Sequence, residues 1–420
     1  MLDFFMYDFL LSEEAKNLKQ RAREFALNVP RQLLIDMDAD KIQYPTQFVK
    51  DLAGAHLLGL RFDKKYGGQE QSWVTEMAVL EEIGVLSMAL SCLYSLPSIC
   101  GEALNTFGTD AQKEKYLKPI ISGKKFCAEA LTEPRGGSDF YGATTTAVKE
   151  GDHYILNGEK RFVVGAQGAD VFLVYAKTDK NAPGYKSISL FIVERDMGVE
   201  EKYVYGLMGT RGGGAGRLYF KDVQVPAENI ILGEGEGGRI FNQMMYPERM
   251  TSAAGVIGMV KGSVDVASRY STQRKAFGQS IKNFQGVSFK IADSLCLNDS
   301  ARGILYIAAN ALDKNQDNPS LCRRLVSEAK RVSTENAYKA IDNCMQVMGG
   351  IGYSNIYPIE KMLRDVRLAS IWTGTSEIMN LIIQHEYYKK FKKKDGLGTP
   401  IRNIEKDASE AEAADEKIFE

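Results

Sequence analysis

Three clusters of glycine residues could form phosphate-binding loops, because glycine lets the backbone approach an anion closely. They occupy residues 212–216 (GGGAG), 233–238 (GEGEGG) and 349–352 (GGIG). The first precedes a strand-like segment, the second has no following Lys-Ser or Lys-Thr pair, and the third follows a helical pattern. None is a P-loop or a dinucleotide fingerprint, so each is interpreted as a turn or linker.

Cysteine and histidine, the usual ligands of a structural metal, are not spaced for that role. No two of the six cysteines form a CxxC pair, and the three histidines lie far apart in the sequence. We therefore expect no metal ion. Most of the cysteines have apolar or helix-like neighbours, where a buried reduced thiol is the expected state, and this favours a reducing compartment.

Two hydroxyl side chains, Thr132 and Ser138, bracket a glycine-containing turn in the segment ALTEPRGGSD. Hydroxyl groups placed in this way can hydrogen-bond to a ring edge or to a phosphate oxygen of a ligand. Serine and threonine also stabilise turns without binding anything, which is their commoner use in such segments. The two residues by themselves leave both interpretations open.

The composition is that of an ordinary globular protein. The chain has 420 residues, of which 44% are hydrophobic and 25% are charged, so it is long enough for two or three domains. Its 53 basic and 54 acidic side chains give a formal net charge of −1. No overall field therefore attracts it to nucleic acid, and no apolar stretch is long enough to insert into a membrane.

The periodicity of apolar residues changes twice along the chain. Residues 1–126 show helical spacing, with Ser12 as a helix start, and residues 127–238 contain short β-branched and aromatic segments. Because no helices separate these segments, an antiparallel sheet or small barrel fits better than a Rossmann domain. Asn157-Gly158 indicates a hairpin turn. Helical spacing returns in residues 239–392, and residues 393–420 form a charged tail.

Several separated motifs resemble those of acyl-CoA dehydrogenases, in the family order and across nearly the whole chain. They are ALTEPRGGSD, NGEKRFVV, QRKAFGQSI, QVMGGIGY, YPIEKMLRDVR and IWTGTSEI. The resemblance implies an α+β protein with an N-terminal helical domain, a middle antiparallel β domain and a C-terminal four-helix bundle. It also implies bound FAD and a homotetramer.

The resemblance assigns cofactor contacts residue by residue. The matching positions are Leu131, Thr132, Ser138, Phe162, Val164, Arg274, Phe277, Gln285, Gln346, Gly349, Gly350 and Thr375. Among them Arg274 matches an arginine that reaches the FAD pyrophosphate of another subunit. Phe162 replaces the usual tryptophan beside the flavin ring. Val164 replaces a threonine or serine that donates to flavin N5, which valine cannot do.

The catalytic base is expected on a helix. Many members of the family hold a glutamate at the position of Thr373, but a threonine hydroxyl is too weak a base for this chemistry. Other members, including isovaleryl-CoA dehydrogenases, hold the glutamate directly before an arginine in the segment that here reads MMYPERMTSAAG. Glu248 matches that glutamate and Arg249 the arginine, while the Thr373 backbone N–H would polarise the thioester oxygen. Without the resemblance, Glu248 could be a carboxylate that complements a helix N-terminus.

The resemblance thus predicts an acyl-CoA dehydrogenase that acts on a branched, bulky or substituted acyl group. Ser138 and Arg249 would contact the acyl-CoA, and the electrons would pass to an electron-transfer flavoprotein. Two alternatives stay open, a catalytically silent protein that binds acyl-CoA and flavin, and an acyl-CoA oxidase. Arg135 could meet a carboxylated substrate.

The N-terminal segment MLDFFMYDFLLSEEAKNLKQ is hydrophobic but acidic. It has no basic region and no cleavage site of small residues, so it does not indicate a signal peptide. We therefore expect a cytoplasmic location.

Overall fold

A computed structural model describes residues 7–315 and 317–389, together with Arg402 and Asp407. The N-terminal region is helical, as expected. Its helices are α1 (Glu13–Asn28), α2 (Arg31–Asp38), α3 (Thr46–Gly54), α4 (Trp73–Gly84), α5 (Met88–Phe107), α6 (Asp110–Gln112) and α7 (Lys118–Ile121). The hydroxyl of Ser12 accepts a hydrogen bond of 3.2 Å from the Ala15 N–H, which caps α1 and confirms the predicted helix start.

The middle region is an eight-stranded sheet. Its strands are β1 (Cys127–Ala130), β2 (Thr146–Glu150), β3 (His153–Val163), β4 (Val171–Lys177), β5 (Ile188–Glu194), β6 (Glu200–Val204), β7 (Gly216–Pro226) and β8 (Ile230–Ile231). The strand order is β6-β7-β3-β2-β4-β5-β8, and β1 pairs with β4. Most pairings are antiparallel, as predicted, while β4 pairs in parallel with both β1 and β2.

The hairpin turn predicted at Asn157-Gly158 is wrong. Both residues lie inside β3, and the chain reverses between Glu150 and His153 instead. The pairing of β3 with β7 shifts its register between Leu156 and Gly158. Asn157 exchanges hydrogen bonds with Asp222 across this bulge, from its side chain to the Asp222 carboxylate and from the Asp222 N–H to its side-chain oxygen. A β-bulge uses the same permissive residue types as a tight turn, which explains the error.

The C-terminal region is helical again, as expected. It contains α8 (Gly237–Gln273), a small ribbon of β9 (Lys275–Ala276) and β10 (Gln279–Ser280), α9 (Gln285–Lys314), α10 (Pro319–Met348), α11 (Ile359–Ala369) and α12 (Ser376–Tyr388). Helix α10 packs against α8, α9, α11 and α12. It ends at Gly349, which adopts φ +64°, a conformation that glycine takes without strain.

Two hydrophobic cores meet at the sheet. Val171, Leu173 and Tyr175 on one face of β4 belong to the core that contains the helices, whereas Phe172 and Val174 on the other face belong to a separate core inside the sheet. Alternation along the strands therefore decides which side chains reach the helices. Strand β1 packs on α5, and α5 packs on α8, so this face of the sheet lies beside the middle of the helical body.

The predicted charged tail, residues 393–420, lies outside the described residues apart from Arg402 and Asp407. The four predicted domain limits stay predictions. Among the described residues, the structure holds no helix that is both long and apolar enough to cross a membrane.

Candidate active site

Glu248 lies well inside α8. The helix begins at Gly237, about three turns earlier, so the alternative interpretation of Glu248 as a carboxylate at a helix N-terminus is wrong. Burial raises the pKa of the Glu248 carboxyl above its ordinary value, although the neighbouring Glu129 side chain and the positive charge of Arg249 oppose that rise. The group is therefore a partly buried carboxylate of enhanced basicity.

The small residues that follow Glu248 pack closely against the N-terminal helices. A Cβ added at Gly258 would lie 2.2 Å from the Glu81 carbonyl oxygen, and one at Gly84 would lie 2.5 Å from the Gly255 carbonyl oxygen. Residues 249–260 are buried throughout. This close packing fixes the part of α8 that carries Glu248.

A second carboxyl group, Glu129 on β1, lies near enough to Glu248 for the two to interact electrostatically. Burial raises its pKa well above the ordinary range, and the negative charge of Glu248 raises it further. Two neighbouring carboxyl groups repel each other when both are ionised, so each makes the other harder to ionise. The sequence interpretation missed Glu129. The available signal was strand alternation, which places it on the same face as buried Cys127.

The segment that contains Thr373 is tied to the helices through its carbonyl groups. Arg249 Nε donates to the Thr373 carbonyl oxygen over 3.4 Å, and Lys330 Nζ donates to the Gly374 carbonyl oxygen over 2.6 Å. Burial, with the nearby charge of Arg249, lowers the pKa of Lys330 to about 7. The backbone of Thr373 has φ +52°, a conformation that non-glycine residues adopt rarely. Arg249 and Lys330 thus hold this turn beside the helix of Glu248.

The turn that begins with Leu131 and Thr132 is fixed by a buried ion pair. Lys160 Nζ donates to Glu133 over 2.8 Å and to the Leu131 carbonyl oxygen over 3.1 Å, and both charged side chains are almost fully buried. Glu133 also accepts hydrogen bonds from the Thr144 and Thr145 N–H groups. These contacts lower the pKa of Glu133 to about 2. Sequence analysis missed this pair, whose role is to hold the turn that bears Thr132.

The predicted flavin residues of the β region lie beside that turn. The Thr132 carbonyl oxygen accepts a hydrogen bond of 2.8 Å from the Arg161 N–H, which joins the turn to β3 at the residue before Phe162. Phe162 is 49% exposed with φ +54°, and its ring lies 4.5 Å from that of Tyr205. Ser138 is exposed, and Val164 packs against the helical core. An exposed aromatic face next to Thr132 suits a planar ring.

Arg135 does not stand free for a substrate. Its guanidinium pairs with Asp139 at 2.9 Å and donates to the Gly142 carbonyl oxygen at 2.5 Å. These contacts close the loop that follows Thr132 upon itself. A role for Arg135 in carboxylate recognition therefore has no support in the geometry.

The remaining predicted cofactor residues lie at the opposite end of the bundle. Helix α9 begins at Gln285 and runs antiparallel to α10, whose last turn contains Gln346, so these residues share one end with Arg274 after α8. The members of this second group are Arg274, Phe277, Gln285, Gln346, Gly349 and Gly350. All six are exposed, and the Phe277 side chain is 94% exposed. A rise of 1.5 Å per residue puts Arg274 about 39 Å from Glu248 along α8.

Three buried donors without partners, two at the Thr373 turn and one on β3, suit a large polar ligand. The Thr373 hydroxyl, the Trp372 indole N–H and Arg161 Nε are buried without a hydrogen-bond partner among the described residues. In the second group, a Cβ added at Gly349 or Gly350 would meet no atom within 4 Å, so that surface is open. Thr375 uses its hydroxyl to cap α12, where it accepts from the Ile378 N–H. These features match FAD, which needs donors for its ring and open surface for its diphosphate.

Metal ligands and disulfides play no visible part in this arrangement. Among the residues that the structure describes, no three His, Cys, Asp or Glu side chains form a group that could hold a metal ion. The cysteines are free thiols, and only Cys296 is exposed.

Comparisons with known proteins agree with the geometry. Models of the N-terminal, middle and C-terminal domains of acyl-CoA dehydrogenase match residues 12–124, 128–223 and 235–388. A short-chain-specific acyl-CoA dehydrogenase of Clostridium acetobutylicum is 34% identical over 384 residues, which is 91% of this chain and 100% of the relative. Subunit CarC of the caffeyl-CoA reductase-Etf complex of Acetobacterium woodii is 35% identical and covers 90% and 99%. The solved butyryl-CoA dehydrogenase of Megasphaera elsdenii superposes with a TM-score of 0.86 at 31% identity, covering 90% of this chain and 98% of its own.

Proposed function

The chain belongs to the acyl-CoA dehydrogenase family of FAD-dependent oxidoreductases, and from this we propose that Glu248 is the base that starts α,β-dehydrogenation of an acyl-CoA thioester. The family, its fold and its cofactor, each expected from the sequence, are confirmed. One observation carries the assignment of the base. Glu248 is partly buried in a setting that raises the pKa of its carboxyl, and the adjacent Arg249 side chain ties its helix to the Thr373 turn.

The proposed reaction removes a proton from the carbon next to the thioester carbonyl. Glu248 accepts this proton, and its raised pKa suits it to the task near neutral pH. The backbone N–H of Thr373 donates to the thioester oxygen, which stabilises the negative charge that develops there. Bound FAD supplies the acceptor for the hydride that leaves the β carbon. Arg249 and Lys330 keep the Thr373 turn in place during this step.

The proposed cofactor contacts come in two groups. Leu131, Thr132, Ser138, Phe162, Val164 and Thr375 lie on the side of Glu248 and would hold the flavin end. The second group, which includes Arg274 and the open surface at Gly349, would hold the diphosphate and adenosine of a cofactor bound to another subunit. The separation of about 39 Å along α8 supports this division, because one FAD molecule is too short to contact both ends of the helix.

The proposal therefore includes a homotetramer. Large apolar side chains are exposed in the C-terminal region, including Phe277 at 94%, Tyr353 at 82% and Ile356 at 69%. We expect light scattering to report four chains for the yellow protein. Substitution of Phe277 by aspartate should lower that mass. A wild-type protein with the mass of a single chain would contradict this part of the proposal.

The electrons are proposed to pass to an electron-transfer flavoprotein, in the cytoplasm, since the described cysteines are free thiols. The name of the CarC relative associates that protein with such a carrier. The acyl group is proposed to be branched, bulky or substituted, and Ser138 and Arg249 to contact the acyl-CoA. The position of Glu248 on a helix supports the choice of acyl group, because isovaleryl-CoA dehydrogenases hold their glutamate in the matching segment.

Anaerobic titration of the purified yellow protein tests the function. Linear, branched, aromatic and dicarboxylic acyl-CoA thioesters are added in turn while the flavin absorbance is followed. We expect bleaching with at least one thioester and slow recovery after oxygen is admitted. Bleaching that reverses at once in oxygen would instead identify an oxidase, and no bleaching with any thioester would identify a silent binding protein.

A variant tests the base itself. Glu248→Gln should keep the yellow colour but slow bleaching by roughly 10²–10⁴-fold, the usual contribution of a general base. Glu328→Gln is the matched control, because Glu328 pairs with Arg324 within α10 and has no role in the proposed reaction. A Glu248→Gln variant that bleaches at the wild-type rate would remove the assignment.

A further inference from the structure

The glycine cluster GGGAG, which the sequence indicates only as a turn or linker, begins in the loop of residues 205–215 between β6 and β7. This β6–β7 loop packs closely against both helical regions. A Cβ added at Gly212 would lie 2.6 Å from the Met37 side chain on α2, and one at Gly209 would lie 2.4 Å from the backbone of Arg364 on α11. Both positions therefore require glycine, and the loop lies where the three regions of the chain meet.

The same loop supports the turn that carries Val164. The Gly165 N–H donates to the Gly213 carbonyl oxygen over 2.8 Å, and a Cβ added at Gly213 would lie 3.4 Å from the Val164 side chain. Valine has no side-chain donor, so any hydrogen bond from this residue to a flavin must come from its backbone. The place of that backbone depends on the β6–β7 loop.

Asp365 on α11 anchors the loop through a buried carboxylate. Its side chain is fully buried, and its Oδ1 accepts a hydrogen bond of 2.6 Å from the Thr210 N–H. Its Oδ2 accepts one of 2.5 Å from Lys361 Nζ. The Thr210 hydroxyl donates to the Asp365 carbonyl oxygen over 3.4 Å. The carboxylate thus has one oxygen on a cation and the other on the backbone of the loop.

Thr210 is held in a strained conformation. Its φ is +57°, which costs a residue with a Cβ free energy, and such a residue persists only where its surroundings fix it. The two hydrogen bonds with Asp365 supply this constraint. Without the Asp365 carboxylate, Thr210 could relax toward an ordinary conformation and move the glycines that follow it.

We propose that Asp365 is a positioning residue for the flavin. Its hydrogen bond fixes Thr210, and the β6–β7 loop in turn places the Val164 backbone against the ring. The inference rests on the proposed function, which puts Phe162 and Val164 at the flavin end of the cofactor site. The acceptor oxygen of Asp365 carries this role, and its charge does not, because only that oxygen contacts the loop.

Two substitutions of Asp365 separate the hydrogen bond from the charge. Asp365→Asn loses the ion pair with Lys361 but keeps an oxygen that can accept from the Thr210 N–H, whereas Asp365→Leu loses both. We expect FAD to leave the Asp365→Leu holoenzyme roughly tenfold faster than it leaves the wild type, and to leave Asp365→Asn within about threefold of the wild-type rate. The recovery of free-flavin fluorescence after dilution into buffer without FAD measures this rate, and no acyl-CoA takes part.

Glu81→Gln is the matched control for a general loss of stability. Glu81 pairs with Arg302 over 3.0 Å, and both side chains are buried, but this pair joins α4 to α9 and not to the β6–β7 loop. It should lower the melting temperature and leave the rate of FAD release within about threefold of wild type. Faster release from Glu81→Gln, equal to that from Asp365→Leu, would overturn the inference.

A second background keeps the test usable if Asp365→Leu folds poorly. In that variant Lys361 is a cation without its partner, so Lys361→Met/Asp365→Leu and Lys361→Met/Asp365→Asn restore the charge balance. The same difference in FAD release is expected between these two double variants. Equal rates from the leucine and asparagine forms, in either background, would overturn the role of the acceptor oxygen.

The outcomes separate this inference from the function on which it rests. If thioesters bleach the wild-type flavin and Asp365→Leu releases FAD at the wild-type rate, the dehydrogenase stands and the role of Asp365 falls. If FAD release follows the expected order but no thioester bleaches the wild-type flavin, the proposed function fails and the link from Asp365 to the cofactor stands.

Discussion

Arg249 Nε donates to the backbone carbonyl of Thr373 over 3.4 Å, and this contact joins the helix of the proposed base to the turn that would polarise the substrate. The Arg249 side chain is 5% exposed, and burial lowers the pKa of its guanidinium to about 10. A buried cation used to hold a backbone carbonyl is costly, which indicates that its place beside Glu248 matters more for function than for stability.

We expect Arg249→Met to separate those two roles. Removing the cation should slow flavin reduction by roughly 10–100-fold, because the Thr373 turn loses its link to α8. The melting temperature should change little, since methionine fills much of the same apolar space. Arg324→Met, which removes a partly exposed pair on α10, is the control and should leave both quantities nearly unchanged. Full activity in Arg249→Met would contradict the link.

Because of Lys330, the free energy of unfolding should rise with pH on the alkaline side of neutrality. The pKa of Lys330 is about 7 in the folded chain and near 10.5 when unfolded, so between these values the unfolded state binds the extra proton and stability rises with pH. The expected gain from this residue between pH 7 and pH 9 is about 2 kcal/mol. Urea unfolding of wild type and Lys330→Met at both pH values should show the gain only in the wild type. An equal change in the free energy of unfolding of both proteins between the two pH values would refute the lowered pKa of Lys330.

The Glu133–Lys160 pair should dominate the stability of the turn that bears Thr132. Lys160→Met leaves a buried carboxylate without its cation, and we expect a loss of about 3–5 kcal/mol in the free energy of unfolding. The double variant Lys160→Met/Glu133→Leu should recover part of that loss. Lys118→Met, which breaks an exposed pair with Glu114, should cost less than about 1 kcal/mol.

Acid should weaken the same pair. The pKa of Glu133 is lowered to about 2 from an ordinary value of 4.5, so its stabilisation is fully present above pH 4.5 and is lost as the pH falls through about 2. Unfolding curves of wild type and the double variant should therefore converge toward low pH. A constant difference down to pH 2 would show that Glu133 is not held in its charged form.

Thr373 adopts φ +52° with an unpaired buried hydroxyl, so backbone strain and hydroxyl can be tested separately. Thr373→Gly relieves the strain and keeps the backbone N–H, and we expect a gain of about 1 kcal/mol in stability with activity within a few-fold of wild type. Thr373→Ala removes the hydroxyl but keeps the strain, so stability should not rise. Loss of flavin from both variants would show that the hydroxyl holds the cofactor.

The sequence was sufficient to predict the fold wherever a residue pattern is compatible with only one kind of local structure. Changes between helical and strand periodicity predicted the order of the three regions, and Ser12 predicted where α1 begins. Asn157-Gly158 misled, because the residues that favour a tight turn also favour a bulge inside a long strand. Local sequence cannot distinguish the two without knowledge of the partner strand β7.

Site residues were predictable only when they belonged to a motif. Glu248 was found through its neighbours in the sequence, whereas Glu129 lies in a short strand and meets Glu248 only through tertiary packing. The sequence predicts only that Lys330 lies in a helical region, and its contact with the Gly374 carbonyl depends on the packing of α12 against α10. Contacts between distant segments set the protonation of these groups, and no local pattern encodes them.

The length of α8 has a genetic consequence. If Glu248 of one chain serves a cofactor that is gripped by Arg274 of another, damage to the two residues is complementary. Chains carrying Glu248→Gln and chains carrying Arg274→Ala, each inactive in a homogeneous assembly, would regain some working centres when they are unfolded together and refolded as a mixture. The partner of each defect would then lie in the other polypeptide, and a single gene would behave in such a cross as though it were two.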